Sequence, residues 1–123
     1  MKPVLASVIA LLALVALAGC APSIPPIKAA VKSCGLTHSD FATLGDKGTT
    51  LTLDGSGEES DGLPFTKEQC VFKKLHITDA VTEEMGQTRA LDGRQTGSWK
   101  GFKASWTYHP DDGLDIVITQ RQG

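Results

Sequence analysis

An uninterrupted apolar run from Val4 to Ala18 follows the short positive start Met1-Lys2-Pro3 and limits everything downstream. As a helix it would reach about 22 Å, short of the ~30 Å hydrocarbon core of a bilayer, so it reads as the core of a cleaved signal peptide over residues 1–19. The chain has 123 residues in all. What remains folds as one small domain, and a domain of that size buries only about 60 to 65 % of its unfolded surface. A large buried active site is therefore not expected.

The run ends in Leu17-Ala18-Gly19-Cys20. These four residues resemble the bacterial lipobox: an aliphatic residue, a small residue, Gly or Ala, then Cys. The resemblance implies that the Cys20 thiol carries a diacylglyceryl group and that cleavage makes Cys20 the mature N-terminus, holding a lipoprotein to the cell membrane. Stable anchoring needs two acyl chains, since one holds a protein only marginally. Membrane lipid through Cys20 is the first expected partner.

Three cysteines is an odd number for an exported chain. Assigning Cys20 to lipid leaves Cys34 and Cys70 to pair as a disulfide in an oxidising compartment, with two free buried thiols as the alternative. Their separation and the lack of nearby His-Cys clusters match no zinc spacing.

Loss of Lys2 with the leader leaves a net charge of about -3 with no long run of either sign. Nucleic acid is excluded as a partner, because phosphate neutralisation requires a basic face. Residues 20–33 contain Pro22, Pro25 and Pro26 and read as a semi-extended tether reaching at most about 40 Å.

The domain, 34–123, is expected to be α+β: a small antiparallel sheet of two hairpins with one or two short helices on one face. In the first hairpin a two-residue turn at Lys47-Gly48 pairs Leu44 with Leu51 and Ala42 with Leu53, all on one face. Asp54 to Gly62 reads as a solvated acidic loop, since Glu59 and Phe65 stand where an EF-hand needs Gly and Glu. Thr66-Lys-Glu-Gln69 has capping-box spacing and predicts a helix over 66–76. A second helix is expected over 79–86, capped by Asp79, and 87–100 reads as irregular loop. Alternation predicts the C-terminal hairpin, with Tyr108 opposite Leu114 and Trp106 opposite Ile116 around Pro110-Asp-Asp-Gly113. Trp106 and Tyr108 are assigned to the core.

No catalytic constellation is found. His38-Ser39-Asp40 cannot form a relay, because neighbouring side chains point apart. His109 beside Asp111, Asp112 and Asp115 is better explained as turn chemistry than as a metal site, and no cofactor is expected. Trp99 reads either as packed on the sheet or as an exposed anchor for a partner. The candidate interaction surface is accordingly Trp99, His109, Asp111 and Asp112.

Thr88-Arg-Ala-Leu-Asp-Gly-Arg-Gln95 and Trp106-Thr-Tyr-His-Pro-Asp-Asp-Gly-Leu114 resemble small lipoproteins of actinobacteria and their temperate phages, a family with no assigned activity. The likeness covers about the last half of the chain. It implies an envelope location, and by analogy with other phage lipoproteins a role in superinfection exclusion. The expected function is a non-enzymatic protein-interaction module contacting an envelope or phage protein. A small-ligand or solute-binding lipoprotein is the alternative, and it would require a lined cavity of several hundred cubic ångströms.

Overall fold

The computed structural model describes Gly19 and residues 23–122. Five strands form one antiparallel sheet in the order β1-β2-β5-β4-β3: β1 (Ala42–Gly45), β2 (Thr50–Leu53), β3 (Gln95–Trp99), β4 (Phe102–His109) and β5 (Gly113–Gln120). Three helices, α1 (Pro26–Ser33), α2 (Phe65–Lys74) and α3 (Asp79–Gln87), complete the α+β fold. The connection from β2 to β3 carries α2 and α3 and delivers the chain to the far edge of the sheet.

Both hairpins take the register that alternation requires. Ala42 lies opposite Leu53 and Leu44 opposite Leu51, while Trp106 faces Ile116 and Tyr108 faces Leu114. Period-2 patterning sends Leu51, Leu53, Ala104, Trp106, Ile116 and Ile118 to one face, where they form a single core with the buried residues of the helices. The opposite face carries half-exposed or exposed Thr52, Ser105, Thr107, Val117 and Thr119.

Helix α1 corrects the tether expected at 20–33. Pro25-Pro26 looks extended in isolation, yet Pro26 stands at the first helical position, where its missing N–H is not needed and its fixed φ suits the helix. Ile27, Ala30 and Val31, at i, i+3 and i+4, are each at most 2 % exposed. A segment that buries such a stripe belongs to the core.

Three local readings also change. The first hairpin closes at Gly45 opposite Thr50 rather than by a two-residue turn, because Asp46, Lys47 and Gly48 all take positive φ in a wider loop. Helix α2 begins at Phe65 after Pro64 with no side-chain cap, so Thr66 lies inside the helix and the capping box does not form. Residues 95–99, expected as loop, form edge strand β3. Its inward positions are Gln95 and Gly97 before Trp99, which hides the apolar alternation. Gly97 is required there: a Cβ would stand 3.1 Å from both the Trp106 ring and Val81.

The acidic loop is not simply solvated. It lies against the β4–β5 turn, with the Glu58 and Glu59 backbone N–H groups donating to the Pro110 and Asp111 carbonyls at 2.9 and 3.0 Å, and the Ser60 hydroxyl also donating to Asp111 O at 3.0 Å. A Cβ on Gly57 would run into the Asp111 carbonyl. Gly57→Ala is therefore expected to lower the unfolding free energy by about 2 kcal/mol, measured by urea denaturation, because rigid backbone must part. An effect below about 0.5 kcal/mol would mean that the loop is not held against the turn.

Candidate functional site

Helix α2 presents Glu68, Val71, Phe72 and Leu75 at i, i+3, i+4 and i+7, so a carboxylate occupies an apolar-stripe position. Glu68 is 1 % exposed, and its Oε1 is buried without a hydrogen-bond partner. Burial pushes its carboxyl up to about 8, and the nearby Asp115 carboxylate adds to the shift. At neutral pH it is held mainly as the uncharged acid.

Glu68 is one of the residues that border a pocket of about 350 Å³ at the end of the sheet where β4 turns into β5. Phe65 and Glu68 come from α2, Met85 and Gly86 from the end of α3, Thr88 from the following residue, and Ser56 and Leu63 from the loop after β2. Tyr108, Gly113 and Leu114 close the strand side. Gly113 has φ +85°, and an added Cβ would stand 2.5 Å from the Ser56 carbonyl, so only glycine lets loop and hairpin meet. Gly86 also borders the pocket, and a Cβ there would meet nothing within 4 Å.

Thr88 is committed to structure. Its hydroxyl donates to Glu84 O at 2.6 Å and accepts from Trp106 Nε1 at 2.9 Å, which supplies the fully buried indole with its partner. Tyr108, assigned to the core, is instead 38 % exposed, because it sits at the strand end and edges the pocket. Phe65, at 49 %, is the other half-open aromatic there.

The residues singled out in the sequence lie elsewhere or have other roles. Cys20 falls outside the described residues. Cys34 and Cys70 form a disulfide with a Cα–Cα distance of 5.9 Å, joining the end of α1 to α2. Trp99 is not an exposed anchor: it is 7 % exposed, stacks on Phe102 at 5.5 Å between ring centroids, and donates from Nε1 to Leu75 O at 2.9 Å. The flanking glycines and Lys100 gave no sign of this, because the packing partner comes from the end of α2.

His109, Asp111 and Asp112 are brought together at the tip of the β4–β5 hairpin, about 24 Å along β4 from the Trp99–Phe102 pair. The four residues therefore do not form one surface. His109 Nδ1 accepts the Asp111 backbone N–H at 3.2 Å, with Asp111 Oδ2 3.6 Å away, which is the turn chemistry expected. Among the described residues no three His, Cys, Asp or Glu side chains are placed to hold a metal ion.

The capping spacing of Thr66-Lys-Glu-Gln69 does not single out Glu68 as a site residue. The available signal was a carboxylate three and four residues before Val71 and Phe72. Comparison of the chain with protein-family models, with curated proteins and with solved structures finds no match in any of the three.

Proposed function

We propose that this chain is a lipid-anchored, extracytoplasmic, non-enzymatic binding module whose domain takes a small ligand into the Glu68 pocket. The observation that carries the reading is a buried carboxyl with an unpartnered oxygen, on a residue that borders an open pocket of about 350 Å³. An unmet acceptor in a protein interior destabilises the fold by about 1–3 kcal/mol, so its retention beside an opening argues for a ligand that meets it. The volume falls within the ~300–1,000 Å³ range of small-molecule sites, and the walls combine apolar side chains with a few polar groups. One carboxyl and one phenol are enough to orient a ligand.

The leader and the Leu17-Ala18-Gly19-Cys20 motif support anchorage at the outer face of the cell membrane. With α1 starting at Pro26, the domain would lie within about 20 Å of the lipidated residue, half the reach of the expected tether. The envelope or phage partner expected from the resemblance loses its anchor residue with Trp99 in the core. The exposed tip at His109 and Asp112 does not sustain that reading by itself.

The test is a small-molecule screen against the isotope-labelled full chain by NMR. Hits are expected to shift Phe65, Thr88 and Tyr108, and Gly86→Leu is expected to abolish them by filling the pocket without touching Glu68. Hits that map elsewhere or survive Gly86→Leu would contradict the assignment. In cells, Cys20→Ser is expected to release the protein from the membrane fraction, and its retention there would contradict the anchor.

A further inference from the structure

We infer that the Glu68 pocket selects a small organic cation, a primary ammonium on an apolar or aromatic body, with the Glu68 carboxyl as its counter-ion. The inference rests on the proposed reading of this pocket as a ligand site and names the class of ligand.

Charge makes the first selection. Among the described residues no Lys, Arg or His lines the pocket, and the only other titratable group on its wall is the Tyr108 phenol. Asp115 of β5 is the charged neighbour that acts on Glu68, while α3 and the loop after β2 contribute no titratable group to the lining. The loop packed on the hairpin tip brings the Glu58 and Glu59 backbone against Pro110 and Asp111, and these acidic positions lie within a few residues of the pocket-lining Ser56 and Gly113. A lining without a basic group, beside Glu68 and Asp115, favours a cation over a carboxylate or phosphate ligand.

Shape and aromatic placement make the second. Phe65 from α2 and Tyr108 from β4 both border the opening with about half or less of their surface exposed, at 49 and 38 %. Aromatic faces beside a buried carboxyl are the combination that holds an alkylammonium, by attraction to the ring quadrupole and by a charge-assisted hydrogen bond. Leu63, Met85 and Leu114 offer the apolar wall for the ligand's body.

The state of the empty site supplies the third. Glu68 Oε1 has no donor among the described residues, and burial together with the Asp115 charge keeps the carboxyl protonated. An ammonium that displaces the wall over Oε1 provides the missing donor, the carboxyl ionises against it, and one proton leaves to solvent. The ammonium keeps all its protons and no bond is made or broken in the ligand. Affinity is therefore linked to pH: below about 8 it should rise tenfold per unit, because one proton must be displaced for each cation bound.

Calorimetric titration of the full chain with phenylethylammonium, and with phenylethanol as its uncharged counterpart, tests this between about pH 6 and pH 9. The amine is expected to tighten about tenfold per pH unit and to level off near pH 8, releasing close to one proton per molecule bound in buffers of different ionisation heat. The alcohol is expected to bind more weakly and without that dependence. Glu68→Gln is expected to remove the amine's pH dependence and its advantage over the alcohol, whereas Gly86→Leu should eliminate both ligands. Equal, pH-independent binding of the two probes would overturn the cation assignment and leave the pocket standing as a site for neutral molecules. If neither probe binds, the cation assignment fails; if in addition no molecule of the broader screen shifts the pocket residues, the reading of the pocket as a ligand site fails too.

Discussion

Between about pH 5 and pH 8 the unfolding free energy of this protein is expected to fall by roughly 1.4 kcal/mol per pH unit, to a total of roughly 5 kcal/mol over the full interval from 4.5 to about 8. The cause is Glu68. In the unfolded chain its carboxyl ionises near the ordinary 4.5, whereas in the fold burial and the Asp115 charge hold the proton up to about 8. Over that interval the folded state binds more protons than the unfolded one, so raising the pH favours unfolding. The stabilising contribution is complete below the unfolded value and is lost as pH rises through the folded one, after which the dependence flattens. Asp115 is raised as well, chiefly by its own burial, and adds to the slope with the same sign, whereas Asp92 is lowered by Arg89 and acts below the ordinary range, outside this window. Urea denaturation across the pH series, with Glu68→Gln beside the natural chain, reads the effect. Glu68→Gln is expected to remove most of the slope and to be the more stable protein at pH 8. A slope unchanged in that variant would place the titration on another group.

Removing the disulfide by Cys34→Ser with Cys70→Ser is expected to lower stability by about 4 kcal/mol, given a sequence separation of 36 residues between the bridged positions. The bridge joins α1 to α2, and α1 otherwise holds to the domain through Ile27, Ala30 and Val31. Helix α1 should therefore loosen first, with hydrogen exchange there rising ahead of the sheet. A loss below about 1 kcal/mol, or unchanged protection in α1, would contradict this role. The two effects bear on one small total, since domains of this kind have about 5–10 kcal/mol to lose. The double variant is accordingly expected to unfold near pH 8 while staying folded near pH 5.

Several parts of the architecture were legible in the sequence because one short-range rule determined each. Alternation across Phe102–His109 and Leu114–Ile118 sets the β4–β5 register, since a one-residue slip would turn Trp106 outward. Cysteine arithmetic picked out Cys34 and Cys70, which the fold bridges. Most of the misses have a different cause, dependence on residues distant in the chain. Pro25-Pro26 looks extended until Ile27, Ala30 and Val31 have a core to enter. Gln95 and Gly97 hide strand β3, because its inward space is filled by Trp106 and Val81 rather than by its own side chains. Trp99 finds its partners at Phe102 and at the Leu75 carbonyl, 24 residues earlier in the chain. Tyr108 obeys the alternation and still emerges half-open, since it borders the pocket near the end of its strand.

The candidate site belongs wholly to that second group. Its walls come from three helix and loop segments and from the β4–β5 hairpin, and only the assembled fold leaves Glu68 without a donor. The one local clue is a carboxylate in the apolar stripe of α2. Such a residue is either an error in the stripe or the centre of a site, and the adjoining pocket favours the second.

The most direct measurement is an NMR titration of the Glu68 carboxyl carbon in the ligand-free protein, assigned by comparison with Glu68→Gln. A midpoint near 8 is the expected result, moving downward when phenylethylammonium is added. A midpoint at the ordinary carboxylate value, unmoved by the amine, would mean that the carboxyl is already solvated or paired, and would contradict the account of this pocket as a binding site.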